Sequence, residues 1–196
     1  MAAEYLVVDT ETTGLDYNRH GLITFSGLLV EDGKVTQKAN YYNLDWRLNV
    51  VDMGAMNVNK FQLAGDNSSL LKNYEALDLK LFAYSIHDWL ASISTKQVAY
   101  LLGMNVNFDT NFIRKLFHDH KLEAPYSFPF RVIDPICIAN ALRDCGHPKF
   151  KELKRVNSVE LYDLYKIEHK DIHTSQKDVL LAHELWLKMR KDLRVK

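Results

Sequence analysis

The stretch VVDTETTGLD, residues 7–16, carries the apolar segment YLVV (5–8) straight into Asp9, Glu11 and a Thr-Thr-Gly turn. Successive side chains on a strand alternate faces, so Asp9 and Glu11 project together from the end of a buried strand. Two carboxylates held that close repel each other and are costly unless something positive lies between them. Oxygen ligands of this kind suit Mg²⁺ or Mn²⁺. The plainer alternative is a pair of solvated strand-end residues beside a glycine turn. Which applies depends on the partners that the other residues supply.

At 196 residues the chain has room for one sizeable α/β domain, and no second core is required. Hydrophobic residues at 47% and charged residues at 26% are ordinary globular values. The apolar runs are far short of a membrane span, and the first residues lack a basic-then-apolar leader. A soluble, cytoplasmic protein with no membrane partner is the expectation. Cys137 and Cys145, if on one helix, stand about 12 Å apart, too far for a disulfide and consistent with a reducing compartment. Lys plus Arg (25) balance Asp plus Glu (25). Proteins that grip long duplex DNA usually carry a basic excess, so neutrality favours short or single-stranded ends. The basic clusters PKFKELKR (148–155) and KMRKDLRVK (188–196) read as solvated helix faces or a tail.

No repeat, low-complexity tract or linker divides the chain, which reads as one domain over 1–196. After YLVV, GLITFSGLLVEDGK (21–34) is a strand ending in an Asp-Gly turn and VTQKANYYN (35–43) its hairpin partner. Residues 47–75 read as short helices and loops. LKLFAYSIHDWLASI (79–93) has helical spacing, QVAYLLGMN (97–105) is a buried strand, and a helix follows over 107–119. RVIDP (131–135) is a short strand, ICIANALRDC (136–145) a helix, and 174–191 another. Meandering strands followed by strands alternating with helices predict a mixed α/β sheet with helices on both faces.

In LLGMNVNFDTNFIRKLF (101–117) Asp109 sits in the first turn of a predicted helix. It either complements the helix dipole or joins a ligand site at the strand ends, where α/β sheets commonly bind ligands. IHTSQKDVLLAHELW (172–186) adds His173 and Asp178. Ser175-x-x-Asp178 matches a capping box, a purely structural role. In the functional alternative, Asp178 lies one turn into the helix and faces the same cleft as His173, whose neutral imidazole suits a base. No zinc-protease helix, CxxC, phosphate-binding glycine loop or G-x-S-x-G accompanies them.

With these motifs in this order, the chain resembles the DEDDh (DnaQ-like) 3′–5′ exonucleases. VVDTETTGLD resembles the first motif, GMNVNFDTNF the second and HTSQKD the third, with the His five residues before the last Asp marking this branch. GAMNVNKF (54–61) is similar to the segment that meets the terminal nucleotide, with Asn59 at its polar position. Met104 departs from the His that many members have there, a position that bears on substrate preference.

The resemblance implies a ribonuclease H-like fold with a five-stranded mixed sheet, three strands in an antiparallel meander and two parallel. It implies two Mg²⁺ or Mn²⁺ ions held by Asp9, Glu11, Asp109 and Asp178, with Asp9 shared between them and His173 as the base. Thr12, Thr13, Gly14, Leu15, Asn59 and Phe108 would contact the terminal nucleotide. The expected activity is removal of nucleoside 5′-monophosphates from a nucleic acid 3′ end, DNA before RNA. A polymerase is a possible partner on this reading, and no nucleotide cofactor is expected. An exoribonuclease is the alternative within the fold; an inactive module that binds nucleic acid or protein is the alternative outside catalysis.

Overall fold

The computed structural model describes residues 4–93, 98–129, 131–170 and 173–193, with backbone alone for Glu4, Val98 and Ala99. Position 97 of the predicted fourth strand, position 172 ahead of His173 and the last three residues of the basic tail lie outside the described residues.

The first strand, β1 (Glu4–Thr12), pairs antiparallel with β2 (Leu22–Glu31), which pairs antiparallel with β3 (Lys34–Asn43). On the other side β1 pairs parallel with β5 (Val98–Leu102), and β5 with the short β6 (Val132–Ile133). These are the meander and the parallel pair that the sequence predicts. A sixth strand, β4 (Glu75–Leu77), adds parallel to β3 and gives the order β4-β3-β2-β1-β5-β6. Three residues with no period-2 alternation leave no signal in the sequence; only pairing along β3 makes them a strand.

Alternation along β1 divides the core. Leu6 and Val8 face α2 (Leu79–Ser92) and α3 (Val106–Asp119), packing with Phe82, Ile86, Phe112 and Ile113. Tyr5 and Val7 face α4 (Pro135–Asp144), α5 (Ser158–Leu164) and α6 (Ser175–Asp192), packing with Ala139, Leu161, Val179 and Leu185. The helices therefore cover both faces. A smaller cluster of Ile23, Tyr42, Trp46, Met56 and Phe61 seats α1 (Met53–Asn59). Asp52, Asp78 and Asp134 each cap a helix by accepting from a backbone N–H of its first turn. Among the described residues no helix is long and apolar enough to cross a membrane.

Gly103, at the junction of β5 and α3, sets the spacing at the carboxylate end. A Cβ there would stand 2.8 Å from the Val8 carbonyl oxygen. Only glycine lets this junction pass so close to β1, bringing the first turn of α3 to the strand end that carries Asp9 and Glu11.

Candidate active site

Three elements converge at the C-terminal end of β1. Asp9 and Glu11 continue the face of Tyr5 and Val7, so they point towards α6, and Asp178 in the first turn of α6 points back. Asp9, Glu11 and Asp178 each offer an oxygen within 4.8 Å of one another. Asp109 approaches from the opposite face of the sheet. It is 3% exposed, and its Oδ1 accepts from the Thr10 backbone N–H at 2.9 Å and the Thr10 hydroxyl at 2.7 Å. It stands outside the tight trio, near enough for its charge to act on Asp9 and Glu11. The dipole explanation for Asp109 is thus incomplete, because its carboxylate is bonded to the strand that carries Asp9.

Burial first, and the neighbouring carboxylates second, push Asp9 and Glu11 well above the usual carboxyl range. Burial raises Asp109 to about 7 against the Thr10 hydrogen bonds, and raises Asp178 to about 6. Four acids that hold protons this tightly are poorly satisfied without a cation. An all-oxygen donor set fits a hard divalent ion such as Mg²⁺ or Mn²⁺. A stability prediction follows with a definite sign. These acids bind protons more tightly folded than unfolded, so their stabilising contribution is complete below about pH 4 and is lost as pH rises through about 6 and about 7. In chelator, Tm is expected to drop by about 5 °C or more between pH 5 and pH 8, and Mg²⁺ or Mn²⁺ should restore it at pH 8. Differential scanning fluorimetry checks this, and a Tm that climbs with pH in chelator would contradict it.

The capping box at Ser175 does not form. The N-cap of α6 is Thr174, and Ser175 is the first helical residue, fully buried. Its hydroxyl lies 2.9 Å from the hydroxyls of Thr24, Ser26 and Tyr74, and Tyr74 also accepts from the Gln176 N–H at 2.8 Å. This hydroxyl cluster anchors the start of α6 to the sheet, where Thr24 pairs with Glu11. Asp178 is instead bonded by the His173 backbone N–H at 3.2 Å. His173 stands at φ +84, in the left-handed region that favours glycine. Its imidazole has no hydrogen bond among the described residues and lines a cavity with Asp9, Met104, Ser158, Tyr162 and Asp178. Burial, then the Lys60 charge, hold its pKa below the ordinary histidine value.

Beside the acids lies a mainly apolar cleft of about 300 Å³, lined by Thr10, Glu11, Thr12, Leu15 and Phe108 and by α1 with its cap. Leu15 is 79% exposed at its rim. Phe108 is half-buried, its ring 4.9 Å from Phe112, so it both packs on the core and faces the cleft. Thr13 and Gly14 do not line this wall. The Thr13 hydroxyl donates to the Val50 carbonyl and accepts from the Gly21 N–H, and a Cβ on Gly14 would meet the His20 ring at 2.3 Å. Asn59 lines the cleft but spends its amide on the chain, donating to the Thr12 carbonyl and accepting from the Phe61 N–H. Thr13 and Asn59 are thus hydrogen-bonded to neighbouring residues, and Gly14 is packed against His20. Gly54, Ala55 and Val58 in this wall fall in the GAMNVNKF segment that the sequence singles out, whereas Asp52 beside it and Tyr162 in the His173 cavity are residues that the sequence reading does not name. The Asp52 cap before MGAM was the available signal.

No family model matches the chain, and no curated protein matches it in sequence. Solved structures do resemble it. A zinc-bound complex of E. coli exonuclease I with single-stranded DNA superposes with a TM-score of 0.75 at 19% identity, over 98% of this chain and 42% of that one. E. coli exonuclease I in complex with a dA16 oligonucleotide gives 0.77 at 16%, over 97% and 42%. An exonuclease I structure concerned with processivity gives 0.78 at 17%, over 96% and 41%. The chain spans about two fifths of the length of these relatives. At such identity the likeness establishes the fold, a mixed α/β architecture of the ribonuclease H-like kind.

Proposed function

We propose that the chain is a single exonuclease domain that, with bound Mg²⁺ or Mn²⁺, hydrolyses phosphodiester bonds from the 3′ end of single-stranded DNA. The products are nucleoside 5′-monophosphates. The observation that carries this reading is the meeting of Asp9, Glu11 and Asp178 within 4.8 Å, with Asp109 behind them and, beside them, a His173 imidazole with no hydrogen bond among the described residues. The fold likeness to exonuclease I, crystallised with single-stranded DNA, supports the choice of substrate.

Asp9, Glu11, Asp109 and Asp178 would hold the metal, which supplies the positive charge that acidifies the attacking water and offsets charge on the leaving 3′ oxygen. His173, kept neutral by burial and Lys60, takes the water's proton. Its strained backbone and the bond from its N–H to Asp178 fix where the imidazole enters the cavity. Leu15 and Phe108 present apolar surface to the terminal base, a contact tolerant of sequence. Thr12, Thr13, Gly14 and Asn59 hold that wall against the acids. A net charge of zero fits a frayed or single-stranded end better than a long duplex.

The test is one 5′-labelled single-stranded DNA oligomer with Mg²⁺, with Mn²⁺ or with chelator, beside an RNA of the same sequence. A ladder shortening from the 3′ end, present only with metal and faster on DNA, is the expected result. Faster shortening of the RNA would move the substrate to RNA 3′ ends. Two intact oligomers would overturn the nuclease reading.

A further inference from the structure

The cavity that holds His173 is about 140 Å³ and contains two polar side chains of α5 that the chemistry above leaves unused, the half-buried Ser158 and the deeper Tyr162. Tyr162 is 2% exposed, and its ring packs 5.6 Å from the His169 ring. A buried tyrosine ordinarily finds its hydroxyl a partner. Here Tyr5 has His183, Tyr42 has Trp46, Tyr74 has Ser175 and Tyr165 has Asp192. The Tyr162 hydroxyl has no hydrogen bond among the described residues. Nor is it sealed in: among those residues Asn40 Oδ1 is the one side-chain polar atom both sealed from solvent and unpartnered. Tyr162 is thus absent from the sealed, unpartnered atoms, and the residue lines the cavity shared with Asp9, His173 and Asp178.

Burial, then the charges of Asp178 and Asp9, keep this phenol protonated well beyond neutral pH. A protonated phenol is a hydrogen-bond donor, and this one has no acceptor among the described residues. What would satisfy it is an anionic oxygen brought in by the substrate. We infer that Tyr162 is a further catalytic residue, donating its hydroxyl hydrogen to a non-bridging oxygen of the scissile phosphate; this rests on the proposed hydrolysis. As the water oxygen bonds to phosphorus and the bond from phosphorus to the 3′ oxygen breaks, the water's proton passes to His173. The leaving oxygen takes a proton from solvent. Tyr162 keeps its own proton throughout, and its bond strengthens as charge builds on the phosphoryl oxygens.

Tyr162→Phe tests this cleanly, because it keeps the ring in its core and deletes an oxygen with no partner among the described residues. Tm should stay within about 2 °C of the parent, since no intramolecular hydrogen bond is lost. On single-stranded DNA, kcat should fall about 10- to 100-fold with KM nearly unchanged. The decisive readout uses oligomers with one phosphorothioate diastereomer at the scissile position, since sulfur is the weaker acceptor. The parent should lose extra rate with one diastereomer, and in Tyr162→Phe that extra loss should shrink while the other diastereomer's ratio holds. A parent-like kcat, or a slowed variant with both sulfur ratios intact, overturns the role of Tyr162 and leaves the nuclease reading standing. A parent chain that cleaves neither DNA nor RNA overturns both.

Discussion

Asp9→Asn is expected to cut 3′-end hydrolysis by about 10³-fold or more, the scale of losing a charge that orders several kcal/mol of transition-state stabilisation. The same substitution should make the metal-free protein more stable. Burial first, and then the charges of Asp109, Asp178 and Glu11, push the Asp9 carboxyl up, so Asp9 stands against the repulsion of all three. Removing its charge should lift Tm in chelator at pH 8 by several degrees and flatten the fall of Tm between pH 5 and pH 8. The rise in Tm on adding Mg²⁺ or Mn²⁺ should vanish. Activity, metal-free stability and metal response thus move in ways that no general loss of folding would produce. An inactive Asp9→Asn that keeps the parent's metal response would remove Asp9 from the metal site.

His173→Ala should slow hydrolysis by about 10²- to 10⁴-fold, the usual scale for a lost general base, while leaving the metal response of Tm almost intact. The separation follows from which atoms of His173 are engaged. Its backbone N–H holds Asp178 and survives the change to alanine; its imidazole is unpaired and available to the reaction. In the parent, the acidic limb of the pH–rate profile should lie below the ordinary histidine value, since burial and Lys60 both favour the neutral ring. His173→Gly should be at least as stable as His173→Ala, because φ +84 costs alanine strain that glycine avoids. Near-parental turnover in either variant would end the case for His173 as the base.

The long elements were legible because their periodicity is. The predicted helices over 79–93 and 107–119 appear as Leu79–Ser92 and Val106–Asp119, and the hairpin strands as Leu22–Glu31 and Lys34–Asn43. The two-turn helix Met53–Asn59 falls among the short helices and loops read over 47–75, without bounds, and Ser158–Leu164 was not singled out. Helices this short owe their stability to packing, which a linear pattern does not record. In the site, the acid spacing pointed to Asp9, Glu11, Asp109 and Asp178, and the structure brings Asp9, Glu11 and Asp178 together with Asp109 at their back. What the sequence left open was how hydroxyls and amides are spent. Ser175 reads as a cap from spacing alone; its use in tying α6 to β2 depends on Thr24 and Ser26, on a strand far earlier in the chain.

The acid trio joins the first strand to the last described helix, and the Tyr5 hydroxyl meets His183 of that helix at 3.1 Å in the same layer. On the ribosome, β1 emerges long before α6 has been made. Asp9 and Glu11 therefore wait, without Asp178 or His173, while the residues between them are made. A product that stopped short of α6 would carry two of the three clustered acids and neither Asp178 nor His173. The trio is completed in one step, when α6 docks.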